Sequence, residues 1–374
     1  MIVGVPAEIK TAEYRVAITP VGVRELADRG HRILIEMGAG EGSTIHNEEY
    51  ETQGAEIVPL AEDVFAEADM ILKVKEPQAS EVEMFRPGQL LFTYLHLAAY
   101  PDLALGLRAR GIVAIAYETV QLPDRSLPLL APMSEIAGRM ATQAGAYFLE
   151  KAQGGRGILL GGVTGVRPGK VVVIGGGIAG SNAAAIAVGM QAEVVVLDRD
   201  LARLRWLDSI YQGRLATMAS TRLTIEEEVI DADLVIGTVL VPGASAPKLV
   251  SEDMVRSMRR GAVLVDVAID QGGCFATSRE TTHEDPVYMV HDVVHYAVGN
   301  IPGAVPHTST YALTNATLPY VIALADQGVV GAVERLAELG PGVNVVGDHI
   351  THEAVAESLG VPYLAARKAL ATAG

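Results

Sequence analysis

KVVVIGGGIAGSNAAAIAVGMQAEVVVLD, Lys170–Asp198, reads as strand, glycine turn, helix and second strand in one unbroken run. Val171 to Ile174 is β-branched throughout, Gly175, Gly177 and Gly180 follow at G-x-G-x-x-G spacing, and Ser181 to Met190 reads as a helix of small residues. The first glycine permits a tight turn, the second lets a pyrophosphate approach the backbone, and the third lets helix and strand pack closely. The phosphates belong on the helix N-terminus, where unpaired N–H groups and the dipole favour anions. Glu193 to Leu197 forms the second strand and ends on Asp198, near the distance expected for the acid that grips a ribose 2′-hydroxyl. A carboxylate there repels a 2′-phosphate and favours NAD over NADP, although Arg199 and Arg203 pull the other way. A glycine triplet alone is a weak signal. Here strand, helix, second strand and terminal acid agree on a dinucleotide-binding βαβ half.

The chain has 374 residues, enough for two domains, and 49% hydrophobic with 20% charged residues fits a globular protein. A formal charge of −16 argues against nucleic acid or an anionic membrane as partner, because both require a basic patch. It also makes any local cluster of cations informative. The single cysteine, Cys274, cannot form an intrachain disulfide, which is compatible with a reducing cytoplasm. Glu8 and Lys10 come too early for a secretory apolar segment, and Leu234 to Val250, taken as the longest apolar candidate, is broken by Pro242 and Pro247. The expectation is a cytoplasmic enzyme.

Upstream of the glycine turn, strands at Ile2–Val5, Ile33–Glu36, Ile57, Met70–Val74, Leu90–Tyr94 and Val113–Tyr117 alternate with helices at Pro20–Arg29, Ala61–Ala68 and Pro101–Arg110. Such alternation implies an α/β fold with a mostly parallel sheet. Pro132 to Gln153 reads as a long helix with Ile136, Met140, Ala144 and Phe148 at four-residue spacing, opened by Ser134 as N-cap. Downstream, Leu234–Thr238 and Ala262–Asp266 extend the nucleotide sheet, a short strand starts at Tyr288, and Thr310–Gln327, Val330–Leu339 and His352–Leu359 are helical. The expected partition is 1–130 plus 305–374 as a substrate domain, with 131–304 inserted as the nucleotide-binding Rossmann domain.

Open parallel sheets bind ligands beyond the carboxyl ends of their strands. Arg15 lies in the loop after the first strand, and Lys75 and His96 each follow a strand end directly. Singly, such residues are more often solvated loop residues or packed histidines. Together they offer two cations and an imidazole to one cleft of an acidic protein, which suits a small carboxylate substrate. Asp270, after the strand that ends at Asp266, would face the nucleotide crevice, its plainer reading being a turn residue.

GVPAEIKTAEYRVAITP, ILKVKEP, LHLA, VVVIGGGIAG and DVAIDQGGC, in this order along nearly the whole chain, resemble the bacterial alanine dehydrogenase family, within the superfamily it shares with transhydrogenase alpha subunits. The resemblance implies two Rossmann-like doubly wound domains, reversible NAD-dependent deamination of L-alanine to pyruvate and ammonium, and a homohexamer. It implies that Arg15 and Lys75 bind substrate and that His96 and Asp270 are the catalytic pair. It places the cofactor on Ser134, Ile178, Ala179, Asp198, Arg203, Ser220, Val239, Leu240, Val267, Ala268, Ile269, Asp270, Arg279, Val298, Gly299, Asn300 and Ile301, beside the three glycines. Arg203 stands where lysine is more usual, which keeps the charge but changes its geometry. Where some family members carry a magnesium pair, this chain has Ala323 and Gln327, so no metal is expected.

The chemistry agrees with that assignment. Arg15 can clamp a carboxylate in a fork, with Lys75 adding a point charge. Oxidation at Cα, attack of water and loss of ammonia all require groups that exchange protons near neutral pH, a role His96 suits. Asp270 would stabilise the cationic amine and share the proton traffic, and the sequence leaves open which of the two deprotonates water. The rival readings are the soluble nucleotide-binding subunit of a proton-translocating transhydrogenase, a non-catalytic NAD-binding protein, and a related lysine-forming dehydrogenase.

Overall fold

The computed structural model describes residues 1–239 and 246–372. The chain divides into two compact units, Met1–Pro132 with Val305–Gly374, and Met133–Ala304.

In the first unit β1 (Ile2–Val5), β2 (Arg32–Glu36), β3 (Glu56–Val58), β4 (Met70–Leu72), β5 (Leu90–Thr93) and β6 (Val113–Ala116) pair in parallel in the order β3-β2-β1-β4-β5-β6. Val3, Val5, Ile71, Leu72, Leu91 and Phe92 are fully buried, as expected where helices cover both faces of a parallel sheet. The tail adds two antiparallel strands, β14 (Val343–Val346) on β6 and β15 (His349–Ile350) on β14. The sequence reading assigned only helices there. Asn344 interrupts the apolar run, and its side-chain amide is buried because it donates to Thr119 Oγ1 and the Gly342 carbonyl, both at 2.7 Å.

In the second unit β7 (Lys170–Ile174), β8 (Glu193–Asp198), β9 (Ala216–Ala219), β10 (Leu234–Gly237), β11 (Val263–Asp266) and β13 (Val293–Tyr296) are parallel in the order β9-β8-β7-β10-β11-β13, and β12 (Val287–Val290) is an antiparallel edge. Each unit is therefore wound outward in two directions from its first strand. The winding reverses between β1 and β4 in one sheet and between β7 and β10 in the other, where doubly wound folds open a crevice for ligands.

Three local expectations need correction. The long helix of the second unit runs Ala131–Phe148 and gives way to a separate short turn at Lys151–Gln153. Ser134 consequently sits inside the first turn rather than capping it. The helix expected over Thr310–Gln327 belongs to a 30-residue helix, Pro306–Arg335, broken at Gly328 by φ 66 and ψ 177, a conformation only glycine adopts without strain. By length and composition this helix could cross a membrane, so among the described residues it, and not Leu234 to Val250, is the longest apolar candidate. Its buried residues include Thr310, Thr314 and Thr317 beside Leu313, Val321 and Leu324, the mixed face of a helix in a protein core.

Helix Ala131–Phe148 approaches the glycine-turn helix Ile178–Gly189 through Gly138, where a Cβ would lie 2.0 Å from the carbonyl oxygen of Ala179. Helix propensity alone makes Gly138→Ala stabilising by about 1 kcal/mol. Overpacking against an immobile backbone carbonyl instead makes it destabilising by about 2 kcal/mol, read as a lower denaturation midpoint; a higher midpoint would show that the two helices are not in this contact.

Candidate active site

The loop after β1 and the segment after β4 flank the reversal point of the first sheet, and their side chains interlock. Glu8, from the first, accepts hydrogen bonds from the backbone N–H of Val74 at 2.6 Å and of Lys75 at 3.3 Å. Its other oxygen lies 3.1 Å from the Lys73 ammonium, which also meets Glu81 at 2.7 Å with no side-chain exposure. Burial opposes the charge on Lys73, yet Glu8 and Glu81 outweigh it and raise the lysine pKa. Burial pushes the Glu8 carboxyl up, and Lys73 restrains that rise. This triad fixes the segment that carries Lys75.

Arg15 is 2% exposed and is forked by Glu13, with Nε donating to Oε1 at 2.6 Å and a terminal nitrogen to Oε2 at 2.5 Å. Burial works against the Glu13 carboxylate, but the Arg15 hydrogen bonds and charge prevail and hold its pKa low. Lys75 is half-buried, and burial together with the neighbouring Arg15 charge lowers its pKa. Lys10 pairs with Glu76, whose second oxygen is buried without a hydrogen-bond partner.

His96 follows β5 with φ +49, an unusual left-handed conformation for a non-glycine residue. Glu118, just beyond β6, maintains it by accepting from the backbone N–H of His96 at 2.6 Å and of Leu95 at 3.2 Å. The imidazole is exposed, stacks on the Tyr94 ring at 5.9 Å, and has Nδ1 3.8 Å from Glu118. Tyr94 is anchored through its hydroxyl, which donates to the Leu129 carbonyl at 2.6 Å, and its burial raises the phenol pKa.

The second unit carries the glycine turn as expected. Gly175 has φ +104, a Cβ on Gly180 would sit 1.7 Å from the Gly175 carbonyl, and a Cβ on Gly177 would meet nothing within 4 Å. Two glycines thus serve the chain's own close packing, and the third leaves open space at the N-cap of helix Ile178–Gly189. That space and the exposed N-terminal turn fit a pyrophosphate. Thr238, after β10, ties the reversal point together by donating to the carbonyls of Ile174 at 3.1 Å and Gly175 at 2.9 Å.

Asp198 accepts from Gly176 N at 2.5 Å and Asp200 N at 2.8 Å. Arg203 donates to the Gly176 carbonyl and to Ser181 Oγ, and its guanidinium lies 4.1 Å from the ring centre of Trp206. Ser220 lies beside Asp198, donating its N–H to that residue's carbonyl at 2.9 Å. Val239 lies against Gly175, at 3.1 Å from a Cβ built there. Leu240 lies outside the described residues.

Val267, Ala268, Ile269 and Asp270 follow β11, with Asp270 exposed in the short turn Ile269–Gln271 and Gly272 and Gly273 at positive φ behind it. Asp266, 1% exposed, organises the loop by accepting from the N–H groups of Ala268 at 3.2 Å, Cys274 at 2.8 Å and Phe275 at 3.3 Å, and from Ser278 Oγ at 2.5 Å. Burial raises its pKa against those bonds. Val298 and Ile301 are buried, Asn300 is left-handed at φ +59, and a Cβ on Gly299 would lie 3.3 Å from Asp270 Oδ1. Arg279 is exposed, with its guanidinium 4.0 Å from the centre of the Tyr288 ring. The first unit therefore gathers Arg15 and Lys75 with Glu13, and sets His96 on Tyr94 and Glu118. The second gathers the glycine turn, Asp198, Arg203 and Val239, and brings the Asp270 loop to Gly299. Sequence reasoning gave no role to Glu8, Glu13, Glu118 or Asp266; a polar residue at or just past the end of a buried strand was the available signal.

Residues 4–137 match the family model "Alanine dehydrogenase/PNT, N-terminal domain" and residues 141–353 match "Alanine dehydrogenase/PNT, C-terminal domain". The chain is 57% identical to an alanine dehydrogenase of Methanococcus maripaludis over 99% of this chain and 100% of that protein, and 55% identical to one of Bacillus subtilis over 99% and 98%. Among solved structures, an L-alanine dehydrogenase superposes with a TM-score of 0.94 at 50% identity, covering 96% of this chain and 99% of that one. A transhydrogenase from Sinorhizobium meliloti gives 0.81 at 26% identity over 95% and 100%. With both family models matched and identity above half across nearly the full length, the chain belongs to the alanine dehydrogenase/PNT family.

Proposed function

We propose that this chain catalyses the reversible reaction of L-alanine, NAD⁺ and water to pyruvate, ammonium, NADH and a proton. The observation that carries the reading is the Arg15 and Lys75 pair at the reversal point of the first sheet, two buried or half-buried cations in a chain of net charge −16. Arg15 is matched by Glu13, and a small anion would offset the desolvation of the Lys75 charge beside it. The relatives' names and the 0.94 superposition support the same substrate.

Arg15 and Lys75 hold the alanine carboxylate and so fix the orientation of Cα. Bound NAD supplies the hydride acceptor, on a site that comprises Ser134, the glycine turn, Asp198, Arg203, Ser220, Val239, Leu240, Arg279 and the loops Val267–Asp270 and Val298–Ile301. Loss of hydride from Cα leaves an iminium carbon, which takes up water and then expels ammonia. His96 and Asp270 exchange the protons of those two steps, His96 because a ring nitrogen can both accept and donate a proton and Asp270 because a carboxylate stabilises the cationic nitrogen. Asp198 favours NAD over NADP. The assembly is a homohexamer acting in the cytoplasm.

An absorbance assay for NADH with L-alanine, comparing NAD with NADP and including glycine, L-serine and L-lysine, tests the reading. Alanine with NAD is expected to give the highest kcat/KM; a folded protein that binds NADH yet shows no alanine-dependent signal would leave a transhydrogenase subunit or a non-catalytic NAD-binding protein. His96→Ala is expected to lower kcat by about 100-fold or more while the NADH dissociation constant stays within about twofold. Parallel loss of both would show a structural histidine instead.

A further inference from the structure

Glu13 and Arg15 form a two-point pair whose side chains are 1% and 2% exposed. An arginine held this way has its plane fixed and its charge matched before any ligand arrives. Lys10 is matched by Glu76 and Lys73 by Glu8 and Glu81. Among the described residues no carboxylate pairs with the Lys75 ammonium. Resting on the carboxylate subsite proposed above, we propose that Glu13 is a positioning residue: it holds the Arg15 guanidinium by its Nε edge and cancels its charge, leaving Lys75 as the cation that the substrate carboxylate neutralises.

The two cations then do different work. Arg15 supplies direction, because a forked guanidinium presents its donors in one plane. Lys75 supplies the counter-charge, and burial with the Arg15 charge already lowers its pKa while Glu13 and Glu76 raise it and Lys10 lowers it. The Glu8 carboxylate faces the Lys75 backbone N–H from the same loop. Carboxylate affinity is therefore full while Lys75 is protonated and falls as pH rises through its depressed pKa. Removing the Glu13 charge exposes Lys75 to an unbalanced Arg15 and moves that fall to lower pH.

The experiment is the inhibition constant of oxamate, a pyruvate isostere, against the enzyme with NADH from pH 7 to 10. Glu13→Gln is expected to shift the alkaline loss of oxamate affinity down by about one pH unit, a change that general loosening of the fold would not produce. Glu13→Asp keeps the charge but retracts it by one methylene, so its alkaline limb stays with the wild type while kcat/KM for pyruvate falls about 10-fold from the displaced guanidinium. An unmoved limb in folded Glu13→Gln overturns the inference. If that variant does not fold, Glu13→Asp decides, and wild-type kinetics there overturn it equally. A wild-type protein that neither binds oxamate nor oxidises alanine removes the proposed function itself, an outcome distinct from either variant result.

Discussion

Carboxylates that accept backbone N–H groups at the ends of parallel strands are the constraint on which the rest depends. A loop leaving a buried strand carries donors that the sheet no longer satisfies, and leaving them unpaired under cover is costly. Glu8, Glu118, Asp198 and Asp266 each accept two or more such bonds. The loops they fix carry Lys75, His96, the glycine turn and Asp270. Bonds to a charged acceptor are about twice as strong as neutral ones, which is how short loops are held at one geometry without a large apolar core of their own.

The same device reconciles an acidic chain with a cationic cluster. Part of the carboxylate excess is spent internally, on backbone N–H groups and on Lys10, Arg15 and Lys73. In a region of low dielectric the Arg15 charge is felt strongly at Lys75 and lowers its pKa, and the Glu13 carboxylate opposes that effect.

Both units use one winding scheme, and in both several of the candidate binding residues follow the strands between which that winding reverses. The first sheet has β1 and β4 at this point, with Glu8, Arg15 and Lys75 following them; the second has β7 and β10, with the glycine turn and Thr238. Strands on either side of a reversal send their helices to opposite faces, and no connection covers the gap. Close packing sharpens it, since Gly180 and Gly138 let helices approach carbonyl oxygens at distances no Cβ would permit.

Much of this was written in the chain itself. The β-branched runs at Val171–Ile174 and Val194–Val196 and the spacing of Gly175, Gly177 and Gly180 determined a nucleotide-binding βαβ half, because strand burial, turn conformation and close packing are local demands on residue type. The alternation upstream determined a parallel α/β sheet, and Arg15, Lys75 and His96 stood out by following strand ends. Tertiary structure alone decided what those residues meet. The Glu13 fork on Arg15, the Glu118 grip on His96 and the Asp266 hub of the Asp270 loop involve residues with no periodicity to betray them. The tail strands β14 and β15 were likewise invisible, since Val343–Val346 becomes a strand through pairing with β6 and a buried Asn344 finds its partners only there. Local pattern specifies how a segment folds, whereas the partner of a buried charge is set by long-range strand order, which no short stretch encodes.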